Sequence, residues 1–211
     1  YQKRDFYSKL PFNFGGVISI DRNYYGFGSK FTRNKNFENR NNSFVIGIDH
    51  LSQSDDRKRF KNNFGIKGDI TLSQMENFDS TGLYLVNQTT FNTGFLLRYG
   101  IRYDINSIGI DSTNKINLDK INPSLGLSYT INSSDNLFFS FGTSFETPTL
   151  NELSNNPDGS GFNKDLNSNN AVNYEIGWRK SLTNIAFEAV AYITNSDNEI
   201  LPYEIEQFPG K

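Results

Sequence analysis

Five carboxylates, Glu146, Glu152, Asp158, Asp165 and Glu175, are scattered through FETPTLNELSNNPDGSGFNKDLNSNNAVNYEIGW, residues 145–178. Carboxylates in such number can run acid–base chemistry or hold calcium. Glycoside hydrolysis requires two of them at a fixed separation on rigid elements, whereas the residues between these are mainly Asn, Gly and Ser. The spacing around NNPDGSG also departs from the calcium-loop pattern, in which alternating Asp or Asn ligands are closed by a Glu. The stretch therefore reads as a loop in solvent, with Glu152, Asp158 and Asp165 as candidate contacts for a ligand. No catalytic residue is expected.

His50 is the single histidine and cysteine is absent, so disulfides, thiol catalysis and zinc–cysteine sites are all removed. No resident metal or cofactor is expected. A second group of charges, Arg98, Arg102 and Asp104, has a different character, because the three share one parity of a short segment. With 21 basic and 23 acidic residues the chain has no excess of positive charge for a nucleic-acid partner.

The elements that position these charges are strands. In FLLRYGIRYDINSI, residues 95–108, Phe95, Leu97, Tyr99, Ile101, Tyr103 and Ile105 alternate with Arg98, Gly100, Arg102, Asp104 and Asn106. Period two over that length predicts a strand with one apolar and one polar face. Similar alternation predicts strands over 121–132, 136–145, 173–182 and 185–195, with noisier ones at 17–33, 44–49 and 75–91. Phe138 breaks the polar face of its segment. An aromatic content of 15%, with 19 Phe and 11 Tyr, supports ordered strands in a chain only 36% hydrophobic. No helical periodicity and no domain boundary is apparent.

Connections sort into two kinds. NT, SSD and TN join successive strands by tight turns, while residues 54–73, 109–120, 146–172 and those after 195 read as long polar loops. Their alternation predicts tight turns at one end of the sheet and long loops at the other. An outer-membrane barrel has this asymmetry, with apolar residues toward lipid and small polar ones toward a wet lumen. A charged side chain facing lipid costs about 2–4 kcal/mol, so Arg98, Arg102 and Asp104 are expected to face the lumen, paired across the wall or against a plug. Tyr99, Tyr103, Tyr129 and Trp178 are expected as interfacial anchors. The run SDDRKR, 54–59, reads as a self-neutralising loop base whose functional role would be ligand or lipopolysaccharide contact. A soluble carbohydrate-binding β-sandwich is the alternative that alternates in the same way.

The order of segments resembles the barrel domain of TonB-dependent outer-membrane receptors. That family places a Phe-x-x-Pro corner after an aromatic strand, then Glu-Leu, an Asn- and Gly-rich loop, a Leu-containing segment and a Tyr-Glu-x-Gly strand. Here these are Phe145 with Pro148, Glu152-Leu153, GSGFNKDL at 159–166, and Tyr174-Glu175-Ile176-Gly177. GIDHLSQSDDRKRF at 47–60 and GIRYDIN at 100–106 are similar to further family segments. The resemblance departs at Glu146, where the family commonly has Arg, and at Ser168-Asn169, where it commonly has Pro-Glu.

The resemblance implies an all-β, antiparallel transmembrane β-barrel, of which residues 1–211 supply about eight strands out of about 22. The plug domain, the TonB-engaging segment and the terminal strands are expected to lie outside this chain. Also implied are a Gram-negative outer-membrane location, contact with outer-membrane lipid and lipopolysaccharide, a plug in the same full-length protein, and TonB as partner. Import of a scarce nutrient, foremost a ferric siderophore or other iron chelate, is the implied function. A passive porin or adhesin barrel would share the lipid face without the plug.

Overall fold

The computed structural model describes residues 1–10, 16–111, 114–154 and 163–201. Nine strands follow one another: β1 (Gln2–Ser8), β2 (Val17–Asn36), β3 (Arg40–Asn63), β4 (Ile66–Phe91), β5 (Phe95–Ile110), β6 (Asn114–Thr130), β7 (Asp135–Glu146), β8 (Asn169–Ser181) and β9 (Ala186–Asp197). Each hydrogen-bonds antiparallel to its sequence neighbour, giving one nine-stranded sheet in chain order. The strand beyond the eight expected is β1, which pairs with β2 from Gln2↔Tyr24 to Ser8↔Ile18.

Two predicted loops are strands. Residues 54–73 form the distal halves of β3 and β4, joined by a two-residue turn in which Phe64 and Gly65 have φ of 52° and 85°. Both central residues are left-handed, as a type I′ hairpin requires, and Gly65 adopts that conformation without steric cost. Residues 109–120 likewise belong mostly to β5 and β6, which pair as far as Ile110↔Asn114. Alternation of connections between the two ends holds; the length assigned to those two does not. In 54–59 both parities are polar and period two carries no apolar signal, whereas in 109–120 the apolar Ile110, Ile116 and Leu118 fall on the parity that is polar over 98–106, so the alternation changes face. At 26 residues β4 is roughly 85 Å of strand, far more than the 9–11 residues that cross a bilayer.

Pairing fixes which residues share a face, because directly opposed residues point the same way. Ile46, Leu85, Ile101 and Pro123 fall in one row of the apolar face, and Ile48, Leu83, Tyr103 and Ile121 in the next. The polar face carries Asp49, Gly82, Asp104 and Lys120 in one row and Gly47, Tyr84, Arg102 and Asn122 in another. Phe138, the exception on the polar parity of β7, sits opposite Gly177. A Cβ at Gly177 would collide with its ring, and Arg179 lies 4.5 Å above that ring. The aromatic therefore replaces the side chain that glycine lacks.

The β6–β7 ladder is short. It runs only from Ser124↔Gly142 to Thr130↔Asn136, although β6 continues to Asn114. Pro123 occupies the first position beyond the ladder and has no N–H to donate, so pairing stops there. Above it the two strands part.

A helix not expected from the sequence, α1 (Leu150–Ser154), follows β7 and lies against the polar face near the long-loop end. Its Leu153 is fully buried with Ile108 and Ile110, and Phe78, Ile116, Leu118, Leu150 and Leu166 pack around them. The start of the loop after β7 is thus a docked lid, not a segment in solvent. Leu153→Ala is expected to cost about 2–4 kcal/mol of docking energy. Hydrogen exchange would report it as faster exchange over 148–153 with the β4–β5 ladder unchanged.

Candidate functional site

On the polar face near the long-loop end, charged residues of β2, β3 and β4 meet α1. Arg22 donates to Asp55 from Nε (2.8 Å) and Nη2 (2.6 Å), a two-point pairing across β2 and β3. Gln53 adds a third bond to Asp55 at 3.0 Å. One diagonal further, Arg57 donates to Glu76 at 3.1 Å, while Gln74 donates to the same carboxylate at 2.6 Å. The Arg57–Glu76 pair is nearly sealed from solvent, its side chains 9% and 3% exposed.

The lid is tied to these charges through one residue. Asn151 Oδ1 accepts from Arg57 Nη2 (3.0 Å) and Arg59 Nη2 (3.3 Å). The Nε atoms of both arginines are buried without a hydrogen-bond partner among the described residues. Arg59 lies in the hairpin extension beyond the apolar rows, where burial and the neighbouring Arg57 charge push its guanidinium below its ordinary pKa. An anion approaching these arginines would relieve both effects.

Two cavities flank the first residues of the lid. One, of about 450 Å³, is bounded by Arg22, Asp55, Arg57, Glu76, Phe78 and residues 147–151. The other, of about 460 Å³, opens where β6 and β7 part, lined by Arg102, Asp104, Asn122, Ser144 and Glu146 among others. Both are open toward the polar face, and both combine cations, carboxylates and amides.

Of the charges picked out in the sequence, Arg102 and Asp104 come together. Arg102 Nε donates to Asp104 (2.8 Å) and Nη1 to Asp49 (3.0 Å), bridging β5 to β3 over Gly82. A Cβ at Gly82 would strike the Arg102 guanidinium, so the crossing needs glycine at that point. Arg98 lies apart, exposed and with no ion pair among the described residues. Glu152 is committed to a capping box: it accepts from Thr149 N–H (2.7 Å) and Oγ–H (2.9 Å), while its own N–H reaches Thr149 Oγ1 (3.3 Å). Asp165 is exposed, its N–H bonded to Asn163 Oδ1 at 3.1 Å. Asp158 lies outside the described residues.

Arg22, Asp49, Glu76 and Asn151 were not picked out by sequence reasoning, and Asp55, Arg57 and Arg59 entered only as part of the 54–59 run read as a loop base. Their signal was available, since Asp49, Gln53, Asp55, Arg57 and Arg59 all continue the odd parity of β3 that carries Gly47. Among the described residues no group of three His, Asp or Glu could hold a metal ion. His50 instead donates or accepts at Thr81 Oγ1 (2.9 Å) beside Tyr25 and Phe27, at the far margin of the apolar face.

A long antiparallel sheet with an apolar face, and a polar face bearing a folded-in loop, defines part of the wall of a large β-barrel. The family described as "TonB dependent receptor-like, beta-barrel" matches residues 1–210, and the chain belongs to it. A curated relative, "Vitamin B12 transporter BtuB" of Vibrio vulnificus (strain CMCP6), is 36% identical over 81 residues, covering 38% of this chain and 12% of that protein. The ferric citrate transporter FecA in its unliganded form shares the fold with a TM-score of 0.72 at 15% identity, covering 93% of this chain and 31% of that one. The siderophore receptor PiuA from Acinetobacter baumannii does so at a TM-score of 0.64 and 15% identity, over 83% and 32% of the two chains. The chain thus spans about a third or less of the proteins it matches. In these terms the polar face is the lumen side and the apolar face the lipid side.

Two substitutions separate the sealed ion pair from the open one. Glu76→Ala strands the buried Arg57 charge and is expected to cost about 3–5 kcal/mol. Asp49→Asn removes the solvent-exposed partner and leaves Arg102 paired to Asp104, for under about 1 kcal/mol. Urea unfolding of the full-length protein in detergent micelles would measure both.

Proposed function

We propose that this chain is part of the wall and outer mouth of an outer-membrane receptor that takes up a scarce nutrient, foremost a ferric siderophore or other iron chelate. The observation that carries the reading is family membership across residues 1–210, joined to a polar-face cavity lined by the paired charges Arg22, Asp55, Arg57 and Glu76. Anionic chelates suit that mouth: Arg57 and Arg59 each hold a buried, unbonded Nε, and charge-assisted bonds to carboxylate or phosphate oxygens are the strong class. The named relatives transport ferric citrate or vitamin B12 or receive siderophores, which supports a metal chelate as the class of ligand.

In this reading the protein moves a ligand and transforms none. Binding draws on the arginines of β2 and β3 at the lid, with Asp158 and Asp165 of the loop after β7 as further contacts. Glu152 acts through the lid, whose first turn it caps. Arg98, Arg102 and Asp104 face a plug carried by the same full-length protein. TonB, engaging a segment before the plug, would couple release to the proton gradient of the inner membrane. The wall stands in the outer membrane of a Gram-negative cell, against phospholipid and lipopolysaccharide.

The test is uptake of radiolabelled iron chelates by cells that carry the full-length gene as their single receptor. Uptake is expected to be saturable, to vanish when TonB is deleted, and to fall about tenfold or more for the pair Arg57→Gln and Arg59→Gln. Non-saturable uptake independent of TonB would replace the reading with a passive pore.

A further inference from the structure

On the lipid side, the short-turn end of β2–β4 differs from the rest of the wall. Along β5–β8 the apolar face continues to the row of Phe95, Tyr129, Leu137 and Trp178, and the one cation beyond that row among the described residues, Lys180, is paired to Asp135 at 3.3 Å. On β2 and β3 the same rows end in cations. Arg33 stands opposite Phe44 and Lys35 opposite Asn42, so both point to the lipid side, and Arg40, opposite Phe91, joins them. All three are exposed.

None of the three has a carboxylate partner among the described residues: Glu38, in the turn itself, is exposed and enters no ion pair there, and the strand carboxylates on this face of β2–β4, Asp21, Asp56 and Asp79, lie at the far end. Lys35 Nζ and Arg40 Cζ sit 4.7 and 4.9 Å from the ring of Phe37, which holds the two cations together at the turn. Asn42 is anchored beside them through Asn87 Oδ1 and Thr89 Oγ1, both at 2.9 Å. Toward mid-wall, one row beyond Arg33 and Phe44 and displaced across the sheet onto β3–β6, an apolar groove of about 280 Å³ opens between Ile46, Leu85, Ile101 and Ile121. A headgroup-sized cluster of unpaired cations therefore adjoins a groove fit for a hydrocarbon chain.

We infer that this surface binds one anionic phospholipid of the leaflet on the short-turn side. The phosphodiester sits on Arg33, Lys35 and Arg40, and an acyl chain lies in the groove above. Arginine suits the phosphate through paired N–H donors, and basic residues at the headgroup level favour anionic over zwitterionic lipid. The site rests on the membrane-wall reading above and adds a lipid partner of stated charge and leaflet.

The full-length protein would be reconstituted into vesicles of phosphatidylethanolamine, with and without phosphatidylglycerol, floated, extracted gently and weighed by native mass spectrometry. One phosphatidylglycerol is expected to remain bound, with about tenfold preference over phosphatidylethanolamine. The triple variant Arg33→Gln, Lys35→Gln, Arg40→Gln should fall to near parity, whereas Lys58→Gln, which removes a cation already paired to Asp56, should keep the preference. Equal retention of the two lipids by the unaltered protein, or a preference that survives the triple variant, overturns the inference while leaving the wall intact. Failure to float with either vesicle removes the wall, and the lipid site with it.

Discussion

The backbone ladder is the constraint from which everything else in this molecule follows. A sheet with one face in hydrocarbon has no water there to satisfy its N–H and C=O groups, so strand must pair with strand across the whole band. Consecutive antiparallel hairpins are the simplest chain path that achieves this, and the sheet order β1 through β9 follows it without a crossover. Register then distributes the side chains, because each pairing step alternates the two faces. Ile101 falls on the apolar face and Arg102 on the polar face for no reason beyond their parity on β5.

Where the ladder is interrupted, the molecule makes its mouth. Pro123 ends pairing between β6 and β7, and the gap above it becomes one of the two cavities. Beyond the apolar rows the strands continue, and there the polar face carries a second set of paired charges, Arg22 with Asp55 and Arg57 with Glu76. A charged wall alone would have no lid. Ile108, Ile110, Ile116 and Leu118 supply an apolar step on the same side, and Leu153 and Pro148 settle on it fully buried. Asn151 then links the docked helix to Arg57 and Arg59, so the position of the loop and the electrostatics of the mouth depend on each other.

The sequence was legible where one face is apolar. In residues 95–108 the period-two pattern predicts the strand and its two faces, with Arg102 and Asp104 together on the polar one, and the ladder agrees. It was illegible where both parities are polar. SDDRKRFKNN is strand because its backbone pairs with β2 and β4, and Arg57 and Arg59 there bond to a residue some ninety positions away, contacts that no local periodicity reports. Reading that run as a loop also concealed the larger part of the candidate site. The helix was hidden for a different reason: at five residues it is too short for a helical period, though Thr149-x-x-Glu152 was a capping box in plain view. Phe138, an apparent error in the pattern, is the partner of Gly177 on the next strand.

The central claim is that the two faces of β5 see different solvents. Single cysteines placed in turn at residues 98–106 of the full-length protein, spin-labelled and held in native outer membrane, would test it through their accessibility to oxygen and to a water-soluble paramagnetic reagent. The account predicts that 99, 101, 103 and 105 are reached by oxygen and shielded from the aqueous reagent, with 98, 100 and 106 the reverse. Equal access of the aqueous reagent to both parities would contradict it, and would make the apolar face a buried packing surface of some other assembly.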